Sequence, residues 1–339
     1  MPEGSPDQPA PMHGDRPSPE FLKQFEARAG DSGVLRFDEF VDLALYDSSC
    51  GYYRRNKRRV GYGPGTDFFT ASTSGAVFGN LVAAACTKLV GESEAAKYTF
   101  IEIGAETDGG VLEGVSHPFA NIRTLRIGDT LKLEGQCVVF SNELFDAQPF
   151  RRFRFGEGGW HEVGVSLDDN GRFHETQLVP SEPLPAELLR QPATDYTIDL
   201  PVAAARLASV IARQPWTGLF VAFDYGKSWR ELIEACPAGT ARGYYRHTQI
   251  NDLLARPGDQ DLTCHVCWDW LEEALRQSGF QQVSVATQES FFMRYGESYI
   301  AGAINADAAR FTPRKQSLMQ LLHGAHLGQK FQVLSGLRL

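Results

Sequence analysis

The 339-residue sequence has no apolar run approaching the roughly 20 residues that cross a bilayer. It has no surplus of positive charge either. Its net charge of -9 gives a field that repels nucleic acid and anionic membrane surfaces, so generic binding to either is excluded. Cysteine is sparse and scattered, at positions 50, 86, 137, 236, 264 and 267 of a chain too large to need disulfide staples. The lone pair Cys264 and Cys267 lacks the second pair that a zinc site requires, and Thr263–Trp268 reads as a strand entering a helix rather than as a redox turn. The dinucleotide fingerprint Gly-x-Gly-x-x-Gly is also missing, because Gly104 is followed by Ala105 and Glu106. The first twenty residues carry Pro, Gly, Ser and acids. They lack both the apolar core of a secretory signal and the Arg-rich, acid-poor character of an organelle presequence, so a cytoplasmic protein is expected.

What the sequence does have is a polar turn after a buried strand. The apolar run Cys137–Phe140 leads into Ser141-Asn142-Glu143-Leu144-Phe145-Asp146-Ala147-Gln148-Pro149. In an open α/β sheet the carboxyl edge of the strands is where ligands bind. An earlier strand, Tyr98–Gly104, runs into a second such turn, Gly104–Gly110. Together they predict a two-part site.

Helices are expected at 18–30, 36–47, 75–89, 201–213, 268–277 and 306–323, and strands at 98–104, 137–140, 218–223, 283–286 and 330–334. Strands alternating with helices indicate a mostly parallel sheet covered on both faces. Between them, Phe150, Phe153, Phe155, Trp160, Val163 and Val165 alternate around two turn signals, Gly156–Gly159 and Asn170-Gly171. That pattern marks an antiparallel insertion.

Each turn has two readings. A glycine after a buried strand lets the backbone approach a ligand, but a plain strand–loop–helix connection has the same sequence. Glu106 and Asp108 would repel a pyrophosphate, whereas S-adenosylmethionine, with its sulfonium and ammonium, tolerates nearby acids such as Glu102. In the second turn, Asn142, Glu143 and Asp146 offer acceptors for an amine or a planar guanidinium. Alternatively, Asn142 and Asp146 cap a following helix. The basic run Arg54–Arg59 reads as a solvated loop, and His265 as a structural histidine.

Taken in order, these segments resemble the MidA-like methyltransferases, a family that includes a mitochondrial complex I assembly factor with protein arginine methyltransferase activity. The resemblance runs from Gly51-Tyr52-Tyr53 through Gly65–Ala71, Glu102–Ala105 and Asn142–Pro149. It continues with Asp224-Tyr225-Gly226, Gly239–Tyr244 with His247, and Pro257–Val266, and closes at Phe331–Leu334. It implies a class I, Rossmann-like methyltransferase core with N-terminal helices and a β insertion, S-adenosylmethionine as cofactor, and a protein substrate. It implies that Glu102, Gly104, Ala105, Gly65, Asp67 and Thr70 surround the cofactor, and that Asn142, Glu143 and Asp146 act on the nucleophile. The acidic ribose ligand has two readings: Asp129 after a strand at 122–127, or none, if that strand is the next one along. Where the family has glycines, this chain has Glu106 and Asp108, which leaves a non-catalytic, protein-binding assembly factor as the alternative function.

The expected division is a disordered leader at 1–17, a helical and glycine-rich region at 18–90, a core at 91–149 and 195–339, and the insertion at 150–194. If Glu106 and Asp108 crowd the cofactor carboxylate, replacing both by glycine tightens S-adenosylmethionine binding in calorimetry. Unchanged or weaker affinity with the fold intact contradicts that account.

Overall fold

The protein is described from a computed structural model, which covers residues 17–55, 59, 67, 75–105, 109–188, 192–308, 310, 312–323 and 327–339. The expected leader, Gly65, Thr70, Glu106 and Asp108 therefore lie outside the described residues. At the centre is a six-stranded sheet. Its strands run in the order Gln281–Thr287, Gln332–Arg338, Trp216–Asp224, Gly135–Asn142, Thr99–Ile103, Asn121–Leu125. The last four are mutually parallel, and Gln332–Arg338 is antiparallel to both of its neighbours.

Side chains alternate across a strand, so an apolar run supplies both faces of a covered sheet. Phe100, Val138, Phe140, Val221 and Phe223 face one layer, built from helix Ala76–Val90 and the helices Gln288–Tyr295, Glu297–Ala306 and Pro313–Leu322. Ile101, Val139, Phe220 and Ala222 face the other, built from Val202–Ala212 and Trp268–Gln277. Helix Ala76–Val90 is apolar almost all round because it is sandwiched between the sheet and the C-terminal helices. A Cβ at Gly79 would lie 2.2 Å from the Val111 carbonyl, so glycine lets this helix touch the loop beyond Thr99–Ile103.

A second sheet carries the expected insertion. Arg151–Gly156, Gly159–Leu167 and Phe173–Leu178 form antiparallel hairpins. Asp168 closes the Asn170-Gly171 turn by accepting from the N–H groups of Asn170 and Arg172. The sheet extends further than expected. Val34–Arg36 joins it from the N-terminal region, and Thr197–Leu200 pairs with Arg151–Arg154. A boundary at 194/195 thus cuts through this sheet rather than past it. Phe173 packs its ring against Phe21, Phe25 and Phe40 at 4.8–5.7 Å, locking the hairpin onto helices Pro19–Ala29 and Phe37–Tyr46.

One expectation fails locally. The C-terminal helix expected at 306–323 is instead helix Glu297–Ala306, then Pro313–Leu322, with the separate helix Gln288–Tyr295 before them. Pro313 opens its own helix at the first turn, where a missing N–H costs nothing. No helix follows Thr99–Ile103 among the described residues. Gly109–Pro118 is a run of turns in which Gly110 and Gly114 take positive φ.

The second sheet is tied to the core by buried charge. Arg152 donates to both oxygens of Asp199, at 2.8 and 3.3 Å, and Asp199 also accepts from the N–H groups of Thr240 and Ala241. Removing one partner of a buried pair strands the other charge, at about 3–5 kcal/mol. Asp199→Asn should lower the unfolding free energy by that order in urea titration. An unchanged midpoint would show that the pair is dispensable.

Candidate active site

The connections leaving Thr99–Ile103 and Gly135–Asn142 diverge to opposite sides of the sheet, although these strands are neighbours with Ile103 beside Ser141. Such a reversal opens a crevice at the carboxyl ends of the two strands. Both polar turns read from the sequence sit there. They touch, since a Cβ on Gly104 would lie 3.0 Å from the Leu144 side chain, and Gly104 takes φ +82°. The N–H groups of Gly104 and Ala105 both donate to the carbonyl of Leu125, the last residue of the edge strand.

On the other side of the crevice, no helix follows Asn142. The capping alternative for Asn142 and Asp146 therefore falls, and their side chains are not spent on a helix terminus. Glu143 turns the chain at φ +51°, and its N–H donates to the Phe223 carbonyl on the next strand. Asp224 then holds the turn. Its Oδ2 accepts from the N–H groups of Phe145 and Asp146 at 2.9 and 3.4 Å, and its Oδ1 from that of Tyr225 at 2.9 Å. The Asn142 amide donates to the Glu143 carboxylate at 3.0 Å. Asp146 is 4 % exposed, and its Oδ1 has no hydrogen-bond partner.

Electrostatics follow from burial. Burial pushes the Asp224 carboxyl up to about 7 against the pull of its backbone donors. Asp146 is raised well above the usual carboxylate range, first by burial and then by the charges of Asp224, Glu143 and Asp261. Half-buried tyrosines line the same region. The Tyr46 hydroxyl donates to the Ala147 carbonyl and the Tyr53 hydroxyl to Asp261, at 2.9 Å each. Burial and the neighbouring acids push the hydroxyls of Tyr46, Tyr225 and Tyr244 upward.

Glu102 accepts from the Val111 N–H at 2.6 Å, and burial pushes its carboxyl up to about 7. Two expected cofactor residues stand elsewhere. Asp67 is fully buried, with Oδ2 accepting from the Tyr52 hydroxyl and Oδ1 from the Arg246 N–H, so it positions other segments instead of facing the crevice. Asp129 is exposed and accepts from the Arg126 N–H at 2.7 Å, closing its own turn. Its strand, Asn121–Leu125, lies directly beside Thr99–Ile103 and ends in Leu125, so the expected acid is not at the strand end. Asp224 and Asp261 were not among the expected site residues. The available signal for Asp224 was its position at the end of another apolar strand, Gly218–Phe223. Burial leaves the His265 imidazole depressed to about 4, as suits a structural histidine. Among the described residues no cluster of His, Cys, Asp and Glu is arranged to hold a metal ion.

A carboxyl whose folded pKa is raised binds more protons folded than unfolded, so its contribution is present below the unfolded pKa and is lost as pH rises. For Asp224 that window runs from 3.8 to about 7. In urea titrations, Asp224→Asn should therefore gain stability relative to wild type as pH rises through this window and level off above it. A constant difference would mean that Asp224 is ionised throughout.

The comparisons agree with this geometry. Residues 78–286 match the family described as "Putative S-adenosyl-L-methionine-dependent methyltransferase". The protein arginine methyltransferase NDUFAF7, mitochondrial, of Danio rerio is 22% identical over 93% of this chain and 86% of its own length. Its Mus musculus counterpart is 27% identical over 58% of this chain and 45% of its own. A superfamily member from Burkholderia thailandensis, solved with S-adenosylhomocysteine, shares the fold at TM-score 0.79 and 24% identity, covering 98% of this chain and 95% of that one. The mitochondrial names of these relatives overturn the cytoplasmic expectation, because composition and charge are blind to the compartment. No helix among the described residues is long and apolar enough to cross a membrane. With well over half its length inside the family match and the crevice of that fold at its sheet edge, the chain belongs to the S-adenosyl-L-methionine-dependent methyltransferases.

Proposed function

We propose that this chain methylates an arginine of a protein substrate, with Asn142, Glu143 and Asp146 holding the guanidinium. One observation carries the reading. The buried acids Glu162 and Asp199 are matched to Arg151 and Arg152, but neither Asp146 nor Asp224 has an ion-pair partner among the described residues. An acidic pocket kept without its own cation suits a cation that arrives with the substrate. The arginine methyltransferase names of the relatives point the same way, and the net charge of -9 favours a protein over a nucleic acid.

The residues of the other turn fit S-adenosylmethionine. Gly104, at φ +82°, puts a backbone with no side chain at the sheet edge, and the buried Glu102 supplies an acid where a phosphate would be repelled. Gly104, Ala105 and Glu102 would hold the cofactor, with Gly65 and Thr70 contributing from outside the described residues. Asp67 acts at a distance by positioning, and Asp129, which closes its own exposed turn, is left out of this set. When bound, the cofactor supplies an electrophilic methyl group. The remaining chemistry belongs to the protein. A guanidinium stays protonated in nearly all settings, so its nitrogen becomes nucleophilic only as a proton leaves. Asp146, raised by burial and like charge, is basic enough to take it. The arriving cation favours the ionised form of that carboxyl, whose own proton leaves to solvent, so that a free carboxylate is in place to accept. Asn142 and Glu143 fix the plane of the fork.

The rival reading, a non-catalytic assembly factor, is favoured by Glu106 and Asp108 in the sequence and by the lack of a helix after Thr99–Ile103 among the described residues. Tritiated methyl incorporation from labelled cofactor into cell-extract proteins separates the two. Wild type should label protein, and Glu143→Gln and Asp146→Asn should each cut labelling by about 100-fold or more with cofactor binding retained. Labelling that survives both substitutions removes the site assignment, and no labelling by wild type supports the assembly factor.

A further inference from the structure

Tyr225 follows Asp224 at the end of a central strand and is tied twice to the turn that carries Asn142, Glu143 and Asp146. The first tie is the Asp224 carboxylate, whose Oδ1 accepts from the Tyr225 N–H while its Oδ2 accepts from the N–H groups of Phe145 and Asp146. The second is the segment Cys264–Val266. The Cys264 N–H donates to the Asp146 carbonyl at 2.8 Å, and the Val266 N–H donates to the Tyr225 carbonyl at 2.9 Å. Two residues of chain span about 7 Å at most, so this segment holds the Asp146 and Tyr225 backbones beside each other. The Tyr225 ring is fixed as well, its centre 4.1 Å from that of the fully buried Phe331. Tyr46, Tyr52 and Tyr53 spend their hydroxyls on the Ala147 carbonyl, Asp67 and Asp261. The Tyr225 hydroxyl has no hydrogen-bond partner among the described residues.

Two further acceptors at this edge, Asp146 Oδ1 and Asn142 Oδ1, are buried without a donor. Burial, and then the charges of Glu143 and Asp146, push the Tyr225 hydroxyl upward, so it stays neutral and keeps its oxygen as an acceptor. Acceptors that the fold leaves short of donors suit a ligand that brings many. An ammonium brings three N–H groups on one atom, and two carboxylates can satisfy it. A guanidinium brings five, spread over a plane. Buried against carboxylates on one side only, it keeps donors on the other side without water or partner, which is costly. We infer that Tyr225 makes the pocket choose arginine over lysine, its hydroxyl accepting from a guanidinium N–H that Asp146 and Glu143 do not reach. This rests on the protein-arginine reading and names the residue that gives it its selectivity. A neutral acceptor takes no part in the departure of the proton, which falls to Asp146, so Tyr225 acts on recognition.

The test uses the full chain, saturated with S-adenosylhomocysteine, and two fluorescein-labelled Gly/Ser peptides with one central arginine or one central lysine. Wild type should bind the arginine peptide about tenfold more tightly by anisotropy, the worth of one hydrogen bond from a charged donor. Tyr225→Phe keeps the ring against Phe331 and removes only the hydroxyl. It should weaken arginine binding by about tenfold and leave lysine binding, the melting temperature and the calorimetric affinity for S-adenosylhomocysteine as in wild type. A Tyr225 that merely supports the fold would move both peptides together. Equal affinity of wild type for the two peptides, a preference retained by Tyr225→Phe, or a parallel loss for both peptides overturns the inference. Methyl labelling of protein by wild type alongside any of those results leaves the arginine reading standing. A preference that depends on Tyr225 in a chain that transfers no methyl group supports the inference and sinks only the catalytic reading.

Discussion

The site depends on one carboxylate that does no chemistry in the proposed reaction. Asp224 ends a central strand and accepts from backbone N–H groups of the turn leaving the neighbouring strand. That turn has no helix to hold it and begins with Glu143 at positive φ, so its shape rests on side-chain acceptors from outside. Backbone N–H groups buried without partners are costly, and Asp224 removes that cost at Phe145 and Asp146. The consequence is a second acid forced beside the first. Asp146 is buried against Asp224, and each raises the proton affinity of the site. Geometry and electrostatics of the crevice thus share one cause.

The outer parts of the molecule serve the same edge. The N-terminal helices pack on the second sheet through Phe21, Phe25, Phe40 and Phe173, and that sheet is tied to the Gly239–Ala241 loop by Asp199. From this block Tyr46 reaches Ala147 and Tyr53 reaches Asp261. The rings of Tyr46 and Tyr53 stack at 5.5 Å, so the two hydroxyls are aimed as a unit. What the sequence suggests is a helical appendage and a peripheral insertion is a single wall of the pocket. The Asn170-Gly171 tip is peripheral, being closed by its own Asp168.

Much of this was legible because it depends on local pattern. Runs such as Cys137–Phe140 and Gly218–Phe223 are buried on both faces, and continuous apolar strands of that kind signal a covered parallel sheet without tertiary information. The polar turn after Asn142 was legible because the parallel order puts every such turn on one edge. Long-range pairing was not. Nothing near Thr197–Leu200 says that it joins Arg151–Arg154, and nothing near Asp67 says that it serves Arg246 and not a cofactor. Each is set by a partner more than forty residues away. The course of the chain after Gly104 was open for a different reason. Glycine after a strand is compatible with both a helix start and a run of turns, and Gly110, Gly114 and Pro118 decide for turns.

The placement of charge separates structural acids from those of the site. Arg151 forks onto Glu162, Arg152 onto Asp199 and Arg314 onto Asp307, so each of these structural acids comes with a cation of its own. At the sheet edge the fold provides backbone N–H groups and tyrosine hydroxyls, which orient carboxylates without neutralising them. A site arranged this way is less stable when ionised than when protonated, and a cation entering it recovers that deficit as binding energy. The cofactor and an arginine both bring positive charge. In a low-dielectric crevice they would repel each other, and acids left without a cation of their own offset that repulsion at the point where nucleophile and methyl must meet.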